Sequence, residues 1–179
     1  EYSSQFFASD EFIRRHLEIL NHNPTNTHIV RKFNDYMIYK TNLNKDFYET
    51  FVLNPAPIIA ASSNENNIGK IEFGVDYFTY GKEGPYVKDV YMDENTGEYS
   101  LAFAAPILKK RSGKFLGVLV IRFNANKLNE ITTGKRSGIK EDTGTFLRRG
   151  KTSEAYIVNK NFQLITGSRF KEEAMLSQL

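Results

Sequence analysis

The sequence predicts an α+β domain in which an antiparallel sheet carries helices on its surface, and three features predict it. Apolar side chains recur at helical spacing through the first forty residues. Short aromatic and β-branched runs then replace them up to about residue 124. Turn residues, mostly Gly and Asn, separate those runs.

The helices come first. Phe6, Ile13, Leu17 and Leu20 keep to one side, with Arg14, Arg15 and Glu18 on the other. Ser9 is placed to cap a helix over residues 10–20, whose first turn holds Asp10 and Glu11 against the positive end of the helix dipole. Asn23-Pro24 stops it. Thr25 or Asn26 caps a second helix, in which Ile29, Phe33, Tyr36, Met37 and Tyr39 are mostly three or four apart.

Strands follow after Asn42. Phe47–Leu53 and Ile58–Ser62 flank the turn at Asn54-Pro55. Residues 64–84 are irregular apart from a short helical patch around Asp76–Lys82. Tyr86–Met92, Tyr99–Ile107 and Phe115–Phe123 then form a three-stranded meander, turned by Asp93-Glu94-Asn95-Thr96-Gly97 and by Lys110-Arg111-Ser112-Gly113-Lys114. Asn124 is placed to cap a last helix with Leu128 and Ile131.

Composition narrows the function. Of 179 residues 40% are hydrophobic and 25% charged, the balance of a chain that buries a core, which excludes disordered, collagenous and coiled-coil classes. The longest apolar run, Phe115–Phe123, falls well short of the ~20 residues that span a bilayer. Cysteine is absent, which removes disulfides, thiolate metal sites, iron–sulfur clusters and cysteine nucleophiles. The chain starts at Glu1 without a Met or a leader, so it reads as a piece of a longer protein.

The pI is near 9.0, yet 24 Lys and Arg against 21 Asp and Glu leave a net charge of only +3. The basic residues gather at Lys109-Lys110-Arg111 with Lys114, and from Lys135-Arg136 to Lys151. Both clusters lie in turns and lack interleaved aromatics, so they read as solvated charge, and no nucleic-acid partner is expected. His16, His22 and His28 are six residues apart, a rotation of about 240° on a helix, so they do not share a face and no metal site is expected. With no His in the sheet region and no Cys, no haem or linked chromophore, and no other cofactor, is expected. Phosphate loops, nucleophile elbows and paired carboxylates are also missing, and the fragment is not expected to be an enzyme.

A weak repeat runs through the chain. Phe51-Val52-Leu53-Asn54 followed by Ile58-Ile59-Ala60-Ala61-Ser62 resembles Tyr156-Ile157-Val158-Asn159 followed by Leu164-Ile165-Thr166-Gly167-Ser168, with one extra residue in the second turn. It divides the chain into a helical region (1–45), a first module (46–133), a linker (134–154) and the opening of a second module (155–179).

Several motifs together resemble a known family. They are Gly84-Pro85-Tyr86-Val87-Lys88-Asp89-Val90-Tyr91, Asn95-Thr96-Gly97-Glu98, Ala104-Ala105-Pro106-Ile107, and Gly113-Lys114-Phe115-Leu116-Gly117-Val118-Leu119-Val120. Asn66-Asn67-Ile68-Gly69, with Asp76-Tyr77-Phe78 after it, fits the same pattern, as do Glu154 to Lys160 and Ser168-Arg169-Phe170. Over most of residues 46–170 the chain is similar to the double Cache domain, the extracytoplasmic sensing region of prokaryotic histidine kinases, chemoreceptors and cyclic-dinucleotide enzymes. The resemblance implies two PAS-like modules, the first with a five-stranded antiparallel sheet and N-terminal helices, the second entered but incomplete. It implies a small-molecule ligand in the membrane-distal module, two copies paired through the N-terminal helices, and transmembrane helices outside this fragment. A sensor histidine kinase of a two-component system is the leading parent, a chemoreceptor or cyclic-dinucleotide enzyme the alternative, and a structural module without ligand the rival.

The resemblance also supplies candidate residues. Amino-acid-binding members carry an Arg before a Trp-Tyr pair, a Tyr on the third strand and an Asp on the fifth. Here the pair falls on Tyr77-Phe78, the Tyr on Tyr91 and the Asp on Arg122, while no Arg stands near Gly74. Alternation puts Arg122 on one face with Val118 and Val120, where a guanidinium suits an anionic group such as that of an organic acid. Asp89 is either a polar wall of the pocket or the ion-pair partner of Arg122. Tyr86 offers a ring and a hydroxyl, for ligand or for packing. Ala102 and Ala104 leave room for a pocket or for close helix packing.

Overall fold

A computed structural model describes residues 8–93, 97–125, 127–128, 156–159 and 161–166. In order, the elements are α1 (Glu11–His22), α2 (Thr27–Asn42), β1 (Phe47–Leu53), β2 (Ile59–Ser62), a 3-10 turn at Glu65–Asn67, α3 (Asp76–Thr79), β3 (Tyr86–Asp93), β4 (Glu98–Leu108) and β5 (Phe115–Asn124). They form the expected α+β fold. The sheet has five strands in the order β2-β1-β5-β4-β3, so β1 and β5 pair centrally and the meander of β3, β4 and β5 makes up one side.

Composition of the strands explains that order. Every residue of β1 but Tyr48 is buried, and β5 is buried from Leu116 through Arg122. Strands apolar on both faces belong in the middle of a sheet covered on both sides. Leu17, Phe33, Met37, Val52, Leu119 and Ile121 form the core with which α1 and α2 cover one face. Gly117 lets β5 approach closely there: an added Cβ would collide with the Leu53 carbonyl and lie 2.9 Å from Leu17 Cδ2.

One helix cap differs from expectation and another agrees with it. Asp10, not Ser9, caps α1, because its carboxylate accepts the Phe12 N–H at 2.9 Å while also bonding to α2. Asn26 caps α2 by accepting from Ile29 N–H at 3.2 Å. Asn124 ends β5 and residues 127–128 are helical, while the rest of that segment through Ile131 lies outside the described residues. The turn at residues 94–96, the linker 134–154 and Ser168-Arg169-Phe170 lie outside them too.

Two compact units are distinguished, Glu1–Lys88 with Ala102–Phe123, and Asp89–Leu101 with Asn124–Leu179. The second has its own small core of Val90, Ala125 and Ile165, with Tyr99, Leu101 and Leu128 packed on it. It also contains the second hairpin of the sequence repeat. Asn54 and Asn159 build the same turn: each backbone N–H donates to the carbonyl four residues on, and each Oδ1 accepts from the N–H groups two and four residues on. Val158 pairs with Leu164 as Leu53 pairs with Ile59. The two turns are therefore equal in length, and the extra residue expected in the second turn is not there.

Candidate ligand site on the sheet

Pairing of β1 with β5 sets the site. Glu49 lies opposite Arg122, Phe51 opposite Val120 and Leu53 opposite Val118, all on the face turned away from α1 and α2. The expected company of Arg122, Val118 and Val120 is thus found. Cross-strand neighbours on one face come within about 5 Å, which is how an acid and a base 73 residues apart become a pair.

Arg122 is buried, only 3% exposed, and its Nη1 donates to Glu49 Oε2 at 2.8 Å. Glu49 is 2% exposed, and its second oxygen accepts from Ser62 Oγ at 2.9 Å and Asn67 Nδ2 at 2.7 Å. A buried ion pair is tolerable only when its remaining hydrogen-bonding capacity is met in this way. Asn67 in turn accepts from Lys70 Nζ at 2.7 Å, and Asn34 of α2 accepts the Ser62 N–H at 3.2 Å.

The second arm of the guanidinium faces the irregular segment. Nη2 donates to Tyr77 Oη at 3.0 Å and lies 3.7 Å from Glu72 Oε1, while the Tyr77 hydroxyl donates to Glu72 Oε2 at 2.6 Å. The guanidinium plane also stands over the rings of Phe51 and Tyr77, at 4.8 and 5.8 Å from their centroids. Phe51 and Tyr77 meet edge to face at 6.0 Å. Gly81 follows α3 and permits its close seat: an added Cβ would collide with the Tyr77 carbonyl and stand 2.8 Å from Ala104 Cβ. The small side chain of Ala104 therefore serves close packing; Ala102 is likewise fully buried.

Among the candidate residues, Tyr77 and Arg122 are brought together. Phe78 is half-buried on α3, and Tyr86 is half-buried with its ring 5.0 Å from that of Tyr80. Asp89 is exposed, and its Oδ1 accepts the N–H of Val90 at 2.8 Å, so the proposed pairing of Arg122 with Asp89 is corrected: Glu49 is the partner. Asp89 and the half-buried Tyr91 belong to the second compact unit. Glu49, Ser62, Asn67 and Glu72 were not among the candidate ligand residues, although Ser62 stood in the repeat and Asn67 in the Asn66-Asn67-Ile68-Gly69 motif. Glu49 carried a usable signal, a carboxylate inside the run Phe47–Leu53; Glu72 in its irregular segment carried none.

Neither a family model nor a curated protein matches the chain. The fold nevertheless defines a class, because solved structures match it. The sensor domain of the V. cholerae histidine kinase DctB is 17% identical with a TM-score of 0.61, covering 71% of this chain and 48% of that one. The sensor domain of E. coli DcuS is 16% identical with a TM-score of 0.52, covering 72% and 88%. The ligand-binding domain of the Pseudomonas fluorescens chemoreceptor CtaA, in complex with L-serine, is 12% identical with a TM-score of 0.55, covering 92% and 64%. The chain spans about half the length of the DctB sensor domain. At these identities the likeness is one of fold: the α+β fold with a five-stranded antiparallel sheet that was expected is the fold of the chain.

Proposed function

We propose that the chain is the extracytoplasmic sensing part of a transmembrane signalling receptor, a sensor histidine kinase before a chemoreceptor or cyclic-dinucleotide enzyme, and that it binds a small carboxylic acid beside Arg122. The observation that carries the ligand class is Glu72. Its carboxylate already sits against Arg122 Nη2 and the Tyr77 hydroxyl, at 3.7 and 2.6 Å, so this seat accepts a carboxylate. Glu72 is held there from an irregular segment and is 17% exposed, whereas Glu49 is fixed in the sheet. A ligand acid replaces Glu72 and leaves Glu49 in place. The neighbours solved with L-serine and with isoleucine hold molecules that carry such a group.

Signalling on this reading needs a ligand that favours one of two arrangements, with a coupling of ~1–3 kcal/mol. The fragment has no catalytic role. Pairing of two copies falls to the N-terminal helices, where Tyr39 and Leu43 are 56% and 54% exposed. Transmembrane helices belong to the parent: among the described residues no helix is long and apolar enough to cross a membrane.

A thermal-shift screen of organic acids, amino acids, amines, purines and sugars tests the proposal. Carboxylic acids are expected to raise the melting temperature, and Glu72→Gln to tighten their binding by removing the competitor. Silence across the screen favours the rival structural module, a reading supported by Arg122 already having an internal ion-pair partner in Glu49. Sedimentation of the isolated chain as a monomer at all concentrations would remove the pairing.

A further inference from the structure

The basic turn between β4 and β5 does not stand alone. A cavity of about 850 Å³ lies between it and α1, with Leu116 in its wall. Lys109, Lys110 and Arg111 line it from the turn, and Arg14 and Arg15 line it from α1, nearly a hundred residues away. Only Glu11 and Glu18 oppose these five cations. Glu18 is taken by Lys109, whose hydrogen bond holds the Glu18 carboxyl below its usual value. Arg14, Arg15, Lys110 and Arg111 form no ion pair among the described residues.

Both walls are held in place. The turn is closed by Lys109 N–H to Lys114 O and Gly113 N–H to Lys109 O, each 2.9 Å, and Asn21 of α1 donates to the Leu116 carbonyl at 2.8 Å. Like charges kept together on fixed walls repel unless a counter-charge joins them. The Nε of Arg14 is buried without a hydrogen-bond partner, a donor whose desolvation is uncompensated. An anion with several acceptor oxygens would relieve both conditions, and guanidinium groups match phosphate oxygens in pairs.

From this juxtaposition of Arg14 and Arg15 with Lys110 and Arg111 we infer a phosphate-binding site, separate from the sheet-face site and independent of its ligand. The phosphate belongs either to a soluble phosphorylated molecule or to an anionic lipid headgroup. Titration calorimetry with inorganic phosphate and pyrophosphate, beside co-sedimentation with phosphatidylglycerol vesicles, distinguishes the two at about 0.15 M salt. Saturable binding is expected in at least one arm, and the arm that responds names the source. Arg14→Gln and Arg111→Gln are each expected to weaken it about tenfold or more, the scale of a charge-assisted hydrogen bond, without altering the circular dichroism melt. Arg111 lies in an exposed turn, so its variant reports on binding even if Arg14→Gln perturbs α1. Lys82→Gln, which removes the partner of Glu83, should change nothing. Absence of saturable binding in both arms, or equal weakening by Lys82→Gln, overturns the site.

Discussion

Two buried cations hold this protein together in different ways. Lys40 of α2 meets Asp10 at 2.8 Å, and Tyr36 donates to the same carboxylate at 2.6 Å, so one carboxylate answers one ammonium group across the two helices. Arg122 has two carboxylates around it, Glu49 at 2.8 Å and Glu72 at 3.7 Å. The Asp10–Lys40 pair is balanced and complete. The Arg122 cluster has two acids around one guanidinium, with Lys88 Nζ 5.3 Å from the Tyr77 ring centroid, and Glu72 sits at the looser distance. On the proposed reading, Glu72 is the carboxylate that a ligand's own carboxylate replaces.

Variants sharpen that contrast. The largest effect is expected from Arg122→Ala, which strands the Glu49 charge in the interior and should cost about 3–5 kcal/mol in urea unfolding. The double variant Arg122→Leu with Glu49→Leu should recover most of that loss, since no charge is left alone. A small loss from the single variant would mean that the pair is not the keystone of the sheet face. Asp10→Ala comes next, at about 2 kcal/mol, because it removes the α1 cap and leaves the buried Lys40 ammonium group without its carboxylate. Glu72→Gln should change stability by no more than ~1 kcal/mol, as loosely held pairs do, while tightening acid binding. A Glu72 variant as damaging as Arg122→Ala would erase the difference between the two carboxylates.

The smallest effect is the pH dependence of the Asp10–Lys40 clasp. Burial pushes the Asp10 carboxyl up, but hydrogen bonds from Lys40, Tyr36 and the Phe12 N–H outweigh it and hold the group below 3.8. Burial likewise pushes Lys40 down, and its bonds to Asp10 and Tyr36 raise it above 10.5. The Asp10 contribution is therefore present above about pH 3.8 and lost as pH falls through its lower folded value. The Lys40 contribution is present below about pH 10.5 and lost as pH rises through its higher folded value. Melting temperatures of the wild type and Asp10→Asn, followed across both windows, should converge at each extreme and differ most between them.

All five strands were legible in advance, because alternation and turn residues are local signals. β1 was found from Phe47 to Leu53 as expected, and β2 begins one residue late because Ile58 pairs with Ile71 instead. The equality of the Asn54 and Asn159 turns was half-legible. The shared Asn was visible, but aligning Ser62 with Ser168 placed an extra residue in the turn, where the hydrogen bonds leave no room for it. Arg122 was legible as an odd cation in an apolar strand, and the candidate partner Asp89 had the right charge on the wrong strand.

Sequence alone determined the elements, the fold class and the exclusion of thiol chemistry, since each depends on residue type and near-neighbour spacing. Tertiary structure alone decided that Glu49 faces Arg122, that Glu72 reaches the same guanidinium, and that Arg14 and Arg15 meet the basic turn. Those meetings depend on which strands lie side by side and where a helix end comes to rest. Both are settled by burying apolar faces against each other, and no local pattern encodes their outcome.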